Sequence, residues 1–174
     1  TPTIDPVNGP ENGKTQVVLY SPISQSVTMQ FVDKNGNVIE PEYTFSGSTG
    51  QTVKVADPFG DPIAPPMGWK LVDPKTEIPT EVSFGKTPLA NIRIEIEHAT
   101  VHLNHDEFHE ANTGTLPDNS IRPFPAGVDH DDLNQTVTRT IRVHMPDSTI
   151  KSLDQVLHFT RGATIDEING NVTY

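Results

Sequence analysis

The stretch that decides the fold runs from Gln135 to Tyr174 and reads QTVTRTIRVHMPDSTIKSLDQVLHFTRGATIDEINGNVTY. Val137, Ile141, Val143 and Met145 fall on one parity; Thr136, Thr138, Thr140, Arg142 and His144 fall on the other. Period-two alternation predicts a strand with one buried face and one wet face. Leu157, Phe159, Ala163 and Ile165 share a parity in the same way and predict a second strand. Arg139 and Arg161 interrupt the apolar sides. A bare buried charge is costly, so each is expected at a sheet edge with its guanidinium reaching solvent. Ile168-Asn169-Gly170-Asn171-Val172 predicts a hairpin of type I′, because Asn-Gly accepts the positive φ that turn needs.

Working outward, the rest of the chain has the same character. Thr1 to Gly13 reads as a linker or extended arm, and Thr15 to Tyr20 as a short strand. Val27, Met29 and Phe31 alternate; Asn35-Gly36 predicts a turn, and Val38 to Phe45 a return strand placed at a sheet edge or bulge by Pro41. This strand, acidic turn and return strand echo Thr140–Phe159, a weak internal duplication. Gly47 to Val53 could open a short helix capped by Ser48 or Thr49. Asp57 to Pro66 is too rich in proline for anything but loop. Gly68 to Val72, Val82 to Phe84 and Ile92 to Glu97 read as strands. His105 to Asn134 is a long polar segment expected to wrap a sheet, with Ile121, Phe124 and Val128 as apolar pegs. The expected architecture is mainly β, α+β at most: two small antiparallel sheet domains end to end, over residues 1–97 and 98–174, with the junction near His98.

Bulk composition bounds the function. The chain has 174 residues, 33% of them hydrophobic, with 16 Pro and 12 Gly. That composition suits thin sheet domains with many turns and argues against long helices. Net charge is −11, so nucleic acid and anionic membranes are disfavoured as partners. There is no Cys, which excludes thiol chemistry and the disulfide-dense class of secreted domains. No apolar run is long enough to insert into a membrane. The start at Thr1-Pro2-Thr3 reads as a piece of a longer protein.

Chemistry-bearing residues are sparse. His98, His102, His105 and His109 accompany Asp106, Glu107 and Glu110, and His105-Asp106-Glu107-Phe108-His109 looks superficially like the zinc-protease helix motif. That motif needs Glu directly after the first His, where Asp106 stands here, so no metal is assigned. Asp129-His130-Asp131-Asp132 and Asp33-Lys34-Asn35-Gly36-Asn37 fail the spacing of a calcium loop. Asp131 or Asp132 is expected to cap a turn. No nucleophile elbow, phosphate-cradling glycine loop or triad spacing is present, so the chain reads as a non-enzyme without cofactors. Trp69, Tyr43, Tyr20 and Tyr174 could stack on sugar rings, although a lone Trp between Gly68 and Leu71 reads first as core of the first sheet.

Val137-Thr138-Arg139-Thr140-Ile141, Phe159-Thr160-Arg161 and Ile165-Asp166-Glu167-Ile168-Asn169-Gly170-Asn171-Val172-Thr173 together resemble the mucus-binding repeat of surface adhesins of lactic-acid bacteria. Phe31-Val32-Asp33-Lys34-Asn35-Gly36-Asn37-Val38-Ile39, Gly47-Ser48-Thr49-Gly50 and Gly68-Trp69-Lys70-Leu71-Val72 resemble further family motifs, with Ser48 where Lys is common. The resemblance implies two tandem β-grasp, ubiquitin-like domains in an elongated array, on a protein of a Gram-positive cell surface or wall. It implies a non-enzymatic adhesin that binds mucin glycans, which could be sialylated, and that would act through multivalency. Its alternatives are an immunoglobulin- or host-protein-binding module and a structural spacer in a wall-anchored stalk. It fixes no ligand-binding residue, and none is assigned to Arg139 or Arg161.

Overall fold

The structure, a computed structural model, describes residues 21–174. The sequence-predicted arm Thr1–Gly13, the strand Thr15–Tyr20 and Tyr20 itself lie outside the described residues. Architecture is mainly β. In chain order come β1 (Ser24–Val32), β2 (Val38–Ser48), β3 (Thr52–Lys54), β4 (Trp69–Leu71), β5 (Glu81–Ser83), β6 (Ile92–His98), β7 (Thr100–Leu103), α1 (His130–Leu133), β8 (Asn134–His144), β9 (Ile150–Thr160), β10 (Ala163–Asp166) and β11 (Val172–Thr173). Strands order as β2-β1-β6-β4, β11-β10-β7, β3-β5 and β8-β9. The predicted helix near Gly47–Val53 is instead the end of β2, a turn at Thr49-Gly50 and β3. Gly50 takes φ +90° there, which closes a turn where a helix would need a right-handed residue.

Contacts group the chain into two units, and their boundaries fall within β1, β2 and β6. Among the described residues, the first holds 21–30, Glu42–Ile63 and Glu77–Arg93. Its buried side chains include Val27, Met29, Phe45, Val55, Val82 and Phe84. Val27 and Met29 are the inward parity of β1, as the alternation demands. β3 pairs with β5 through Thr52↔Ser83, Val53↔Val82 and Lys54↔Glu81. Gly47 is needed beside this pair, because a Cβ there would sit 2.4 Å from Phe84 Cδ2.

The second unit holds Phe31–Pro41, Ala64–Thr76 and Ile94–Tyr174. The expected boundary at residues 97/98 therefore lies inside it. At that point β6 ends at His98, buried Ala99 intervenes, and β7 begins in another sheet. Leu103, Leu116, Phe124, Val128, Leu133, Ala163 and Ile165 form one core cluster, with Val101 and Val172 packed against it. The long segment 105–133 does wrap this core, but its pegs are Leu116, Phe124, Val128 and Leu133. Ile121 points out, 80% exposed, because the tight turn at Asn119–Arg122 turns it away from the core. Asp129, rather than Asp131 or Asp132, caps α1 by accepting from Asp132 N–H.

β8 and β9 form a ribbon of directly opposed residues from Asn134↔Thr160 to His144↔Ile150. The alternation is realised, but its apolar face is not buried: Leu153 is 63% exposed and Phe159 55%. Periodicity specifies which face is apolar and carries no information on what covers it. The second predicted strand is also broken. β9 stops at Thr160 and β10 takes new partners, β7 and β11, after Arg161-Gly162.

The β1–β2 and β8–β9 turns share one design. The Asp166–Asn171 turn, where type I′ is expected, is one residue longer: Gly170 N–H donates to Asp166 O at 2.8 Å, Asp166 N–H to Asn171 O at 2.9 Å, and positive φ occurs at Gly170 alone. None of the three is type I′. In the β1–β2 turn, Gly36 N–H donates to Asp33 O and Asp33 N–H to Asn37 O, both 2.9 Å. Only Gly36 has positive φ (82°), whereas type I′ needs it at both central residues. Asp33 explains the difference: its Oδ1 accepts from the N–H groups of Asn35 and Asn37, an Asx arrangement that favours a type I turn followed by a left-handed residue. The β8–β9 turn repeats these bonds with Met145 and Thr149, and Ser148 (φ 65°) stands in the left-handed place of Gly36. Ser148→Gly is therefore expected to stabilise by about 0.5–1 kcal/mol. A urea midpoint that rises without a change in slope checks this.

Candidate functional site: a tryptophan-lined cleft

The site is built on β4, an edge strand, and on its neighbour β6. Gly68 sets it up. Its φ of +79° turns the chain into β4, its N–H donates to Asp118 O (2.6 Å), and its carbonyl accepts from Ala99 N–H (2.8 Å). Register then pairs Trp69 with His98, Lys70 with Glu97 and Leu71 with Ile96. Trp69 is half-buried and belongs to no buried core, which corrects the expectation of a core residue. As a residue of a short edge strand, it lacks a neighbour on one side to cover it. Its ring meets His98 edge to face, centroids 4.6 Å apart and planes at 86°.

His98 is anchored in turn. Its Nδ1 lies 2.7 Å from Asp166 Oδ2. Asp166 Oδ1 also accepts from the N–H groups of Ile168 and Asn169. Burial alone would raise the Asp166 carboxyl. The hydrogen bond from His98, those from the two backbone N–H groups and the His98 charge outweigh it and hold the carboxyl below its ordinary 3.8. The Asp166–Asn171 turn thus acts as a brace that fixes His98 and, through it, Trp69.

Around Trp69 lies a cleft of about 470 Å³, lined also by the Asp33-Lys34-Asn35 turn, Val72, Glu95, Ile96, Glu97 and His98. Three carboxylates face one lysine in this lining. Asp33 is committed to its turn, where the Asn37 side-chain amide above all holds its carboxyl below the usual value. Glu97 pairs with Lys70 at 3.4 Å. An aromatic ring beside an amide and carboxylates offers a stacking platform with acceptors for hydroxyl groups.

The other singled-out residues do not join this site. His102 Nδ1 meets Thr164 Oγ1 at 3.1 Å, His105 pairs with Asp106, and His109 stacks on Phe124 with centroids 3.7 Å apart. The four histidines therefore serve four separate contacts. Tyr43 belongs to the first unit. Tyr174 lies under the Arg161 guanidinium, 3.4 Å from ring centroid to Cζ, and Arg161 Nε donates to Asp132 O. Both Arg139 and Arg161 are exposed. The His98–Asp166 brace was not read from sequence. A signal existed: His98 continues the parity of Ile92, Ile94 and Ile96 and so belongs to the inward side of β6.

Comparison with known proteins bears on the C-terminal part. Residues 128–174 match the Muc B2-like domain family. The resemblance to mucus-binding repeats carried by Val137–Ile141, Phe159–Arg161 and Ile165–Thr173 thus holds over this segment. The Muc B2-like segment contains α1, the β8–β9 ribbon, the Asp166 brace and the Arg161–Tyr174 contact; Trp69 and His98 lie outside it. Among solved structures, the crystal structure of Mub-RV is similar at 18% identity, covering 86% of this chain and 69% of that one, with a TM-score of 0.45. A type 2 repeat of the mucus binding protein MUB from Lactobacillus reuteri is similar at 16% identity, covering 85% of this chain and 72% of that one, with a TM-score of 0.37. Both are distant likenesses. No curated protein matches the chain.

Proposed function

We propose that this chain is a non-enzymatic adhesin repeat that binds mucin glycans at the Trp69 cleft, on a bacterial surface protein. The Muc B2-like match over residues 128–174 supports the mucus-binding class. The observation that carries the site is a partly buried Trp69 braced by His98 and Asp166 in a cleft with acceptor side chains. Family resemblance supports a Gram-positive cell-wall location and two tandem β-grasp domains over residues 1–97 and 98–174; α1 is the only helix among the described residues. A single open cleft binds weakly, so adhesion would draw its strength from many linked copies at high effective concentration.

Lining charge narrows the ligand class. With Asp33 and Glu95 beside Lys34, and Glu97 held by Lys70, the lining keeps a small negative excess that disfavours an anionic sugar and suits a neutral hexose or N-acetylhexosamine. Binding of the purified chain to immobilised mucin should therefore persist or rise after sialidase treatment. Loss of the signal after sialidase would contradict the neutral-sugar reading.

A further inference from the structure

We infer that the chain carries a second sugar subsite at the root of the β8–β9 ribbon, one that takes a single neutral sugar ring; its ligand class rests on the mucin-glycan reading above, and its place on a geometry of its own. A hollow of about 280 Å³ opens where α1 meets the first residues of β8 and the last of β9. Gln135 and Phe159 are directly opposed in the ribbon, so their side chains share a face, and both line the hollow. Phe159 is 55% exposed, which leaves its ring open to a ligand. Arg161 lines the hollow too and is held in place. Its main-chain N–H donates to Leu133 O (3.0 Å) and its Nε to Asp132 O (2.8 Å). Its guanidinium lies 3.4 Å from the centroid of the Tyr174 ring, which is itself anchored by Oη donating to Gly127 O at 2.9 Å. The ring that sequence marks as a sugar platform is therefore already taken by Arg161, and Phe159 stands in that role.

The lining selects the ligand. Among the described residues nothing accepts from the two Nη groups of Arg161, so a rigid fork of donors is fixed in place before a ligand arrives, and little ordering cost remains. Such a fork matches two adjacent hydroxyl oxygens. Asp131 and Asp132 accept hydroxyl protons, and the Gln135 amide both donates and accepts. The Phe159 ring offers an apolar face to the C–H face of a sugar. Two carboxylates against one guanidinium leave the lining negative, which disfavours an anionic ring. The Arg161 donors repel a cationic side chain, and a purely apolar ligand would strand every polar group. The hollow also lies wholly within residues 128–174, the segment that matches the Muc B2-like family, whereas Trp69 and His98 lie outside it. Two weak subsites on one chain reinforce each other on a mucin surface through effective concentration.

Titration of the nitrogen-15-labelled chain with methyl galactoside, a neutral hexose, followed by NMR, reads each subsite by its own signals. One open hollow holds one ring with a dissociation constant of about 1 mM or weaker, so the sugar is taken to about 50 mM. The expected result is a saturating shift of the Arg161 Nε–H and Gln135 side-chain amide signals. That shift should persist in Trp69→Ala and vanish in Phe159→Ala, the dispersed spectrum of the same sample showing that each variant folds. Tyr174→Ala removes no lining group but releases the guanidinium, and should weaken binding about three- to tenfold; Tyr174→Phe keeps the stack and should stay within about twofold. N-acetylneuraminic acid, an anionic ring, should bind about tenfold more weakly than methyl galactoside. No saturating shift at Arg161 and Gln135 overturns the subsite; the Trp69 cleft still stands if the Trp69 Nε1–H signal moves, and falls with it if that signal is silent. A response at Arg161 with silence at Trp69 supports the subsite and sinks the cleft. Tighter binding of the anionic ring, or an unchanged response in Phe159→Ala, overturns the subsite as well.

Discussion

Gly68→Ala is expected to destabilise the protein by about 2–5 kcal/mol. Two costs add at this position. A left-handed φ of +79° costs a side-chain-bearing residue about 1–2 kcal/mol. The new Cβ would also sit 2.6 Å from Ile168 Cδ1 and 3.0 Å from Asn119 Nδ2, so the wall behind β4 must move, at about 1–3 kcal/mol. Gly50 separates the two terms. Its φ is +90°, but nothing lies within 4 Å of its virtual Cβ, so Gly50→Ala should show the conformational cost alone. Urea unfolding of both variants checks the difference. Equal losses at Gly50 and Gly68 would mean that the packing behind Trp69 is loose and that the cleft is not preorganised.

Glu167→Ala is expected to cost about 2–4 kcal/mol at pH 4, and less at neutral pH. Glu167 is 1% exposed, and its Oε2 accepts from Asp118 N–H at 2.8 Å. Truncation leaves that donor unpaired and opens a cavity beside Gly68's neighbours, Asp118 and Asn119. The pH dependence follows from the carboxyl itself. Burial, with a smaller push from the Asp118 charge, raises it above its ordinary 4.5; the hydrogen bonds from the Asp118 and Asn119 backbone only partly offset this. A folded-state value above the unfolded one means that the folded state holds the proton more tightly. Its contribution is therefore fully present below about 4.5 and is lost as pH rises through the raised value. Asp166 runs the opposite way: its contribution is present above 3.8 and is lost as pH falls through its lowered folded value. The two windows do not overlap. Glu167→Gln keeps an acceptor for Asp118 and removes the titration, so its stability should stay flat above pH 4.5 where the parent declines. A parallel decline in both would assign the effect to another group.

What sequence made legible follows from what periodicity measures. Val27 and Met29 on β1, and Ile94 and Ile96 on β6, were readable as inward positions, because each strand is covered on that side. The ribbon alternates as clearly, yet Leu153 and Phe159 stand in solvent. Coverage is a tertiary fact, and a strand's pattern is the same with or without it. Asn-Gly marked the turns at 35–36 and 169–170 correctly, but their class was set by Asp33 and Asp166 accepting backbone N–H groups just downstream. Trp69 was misplaced in the core because sequence does not show that β4 is short and lies at an edge. The His98–Asp166 brace spans 68 positions, and only the register of β4, β6 and β10 brings such residues together.

The most direct test of the glycan-cleft reading is binding of Trp69→Ala to immobilised mucin, beside the parent chain at equal density. Trp69 is partly buried on an edge strand and belongs to no buried core cluster, and an unfolding transition on the same sample checks that the variant folds. The expected result is a loss of about tenfold or more in affinity, with free N-acetylhexosamine competing for the parent. Unchanged mucin binding by a folded Trp69→Ala protein would contradict the account and move the search away from the cleft.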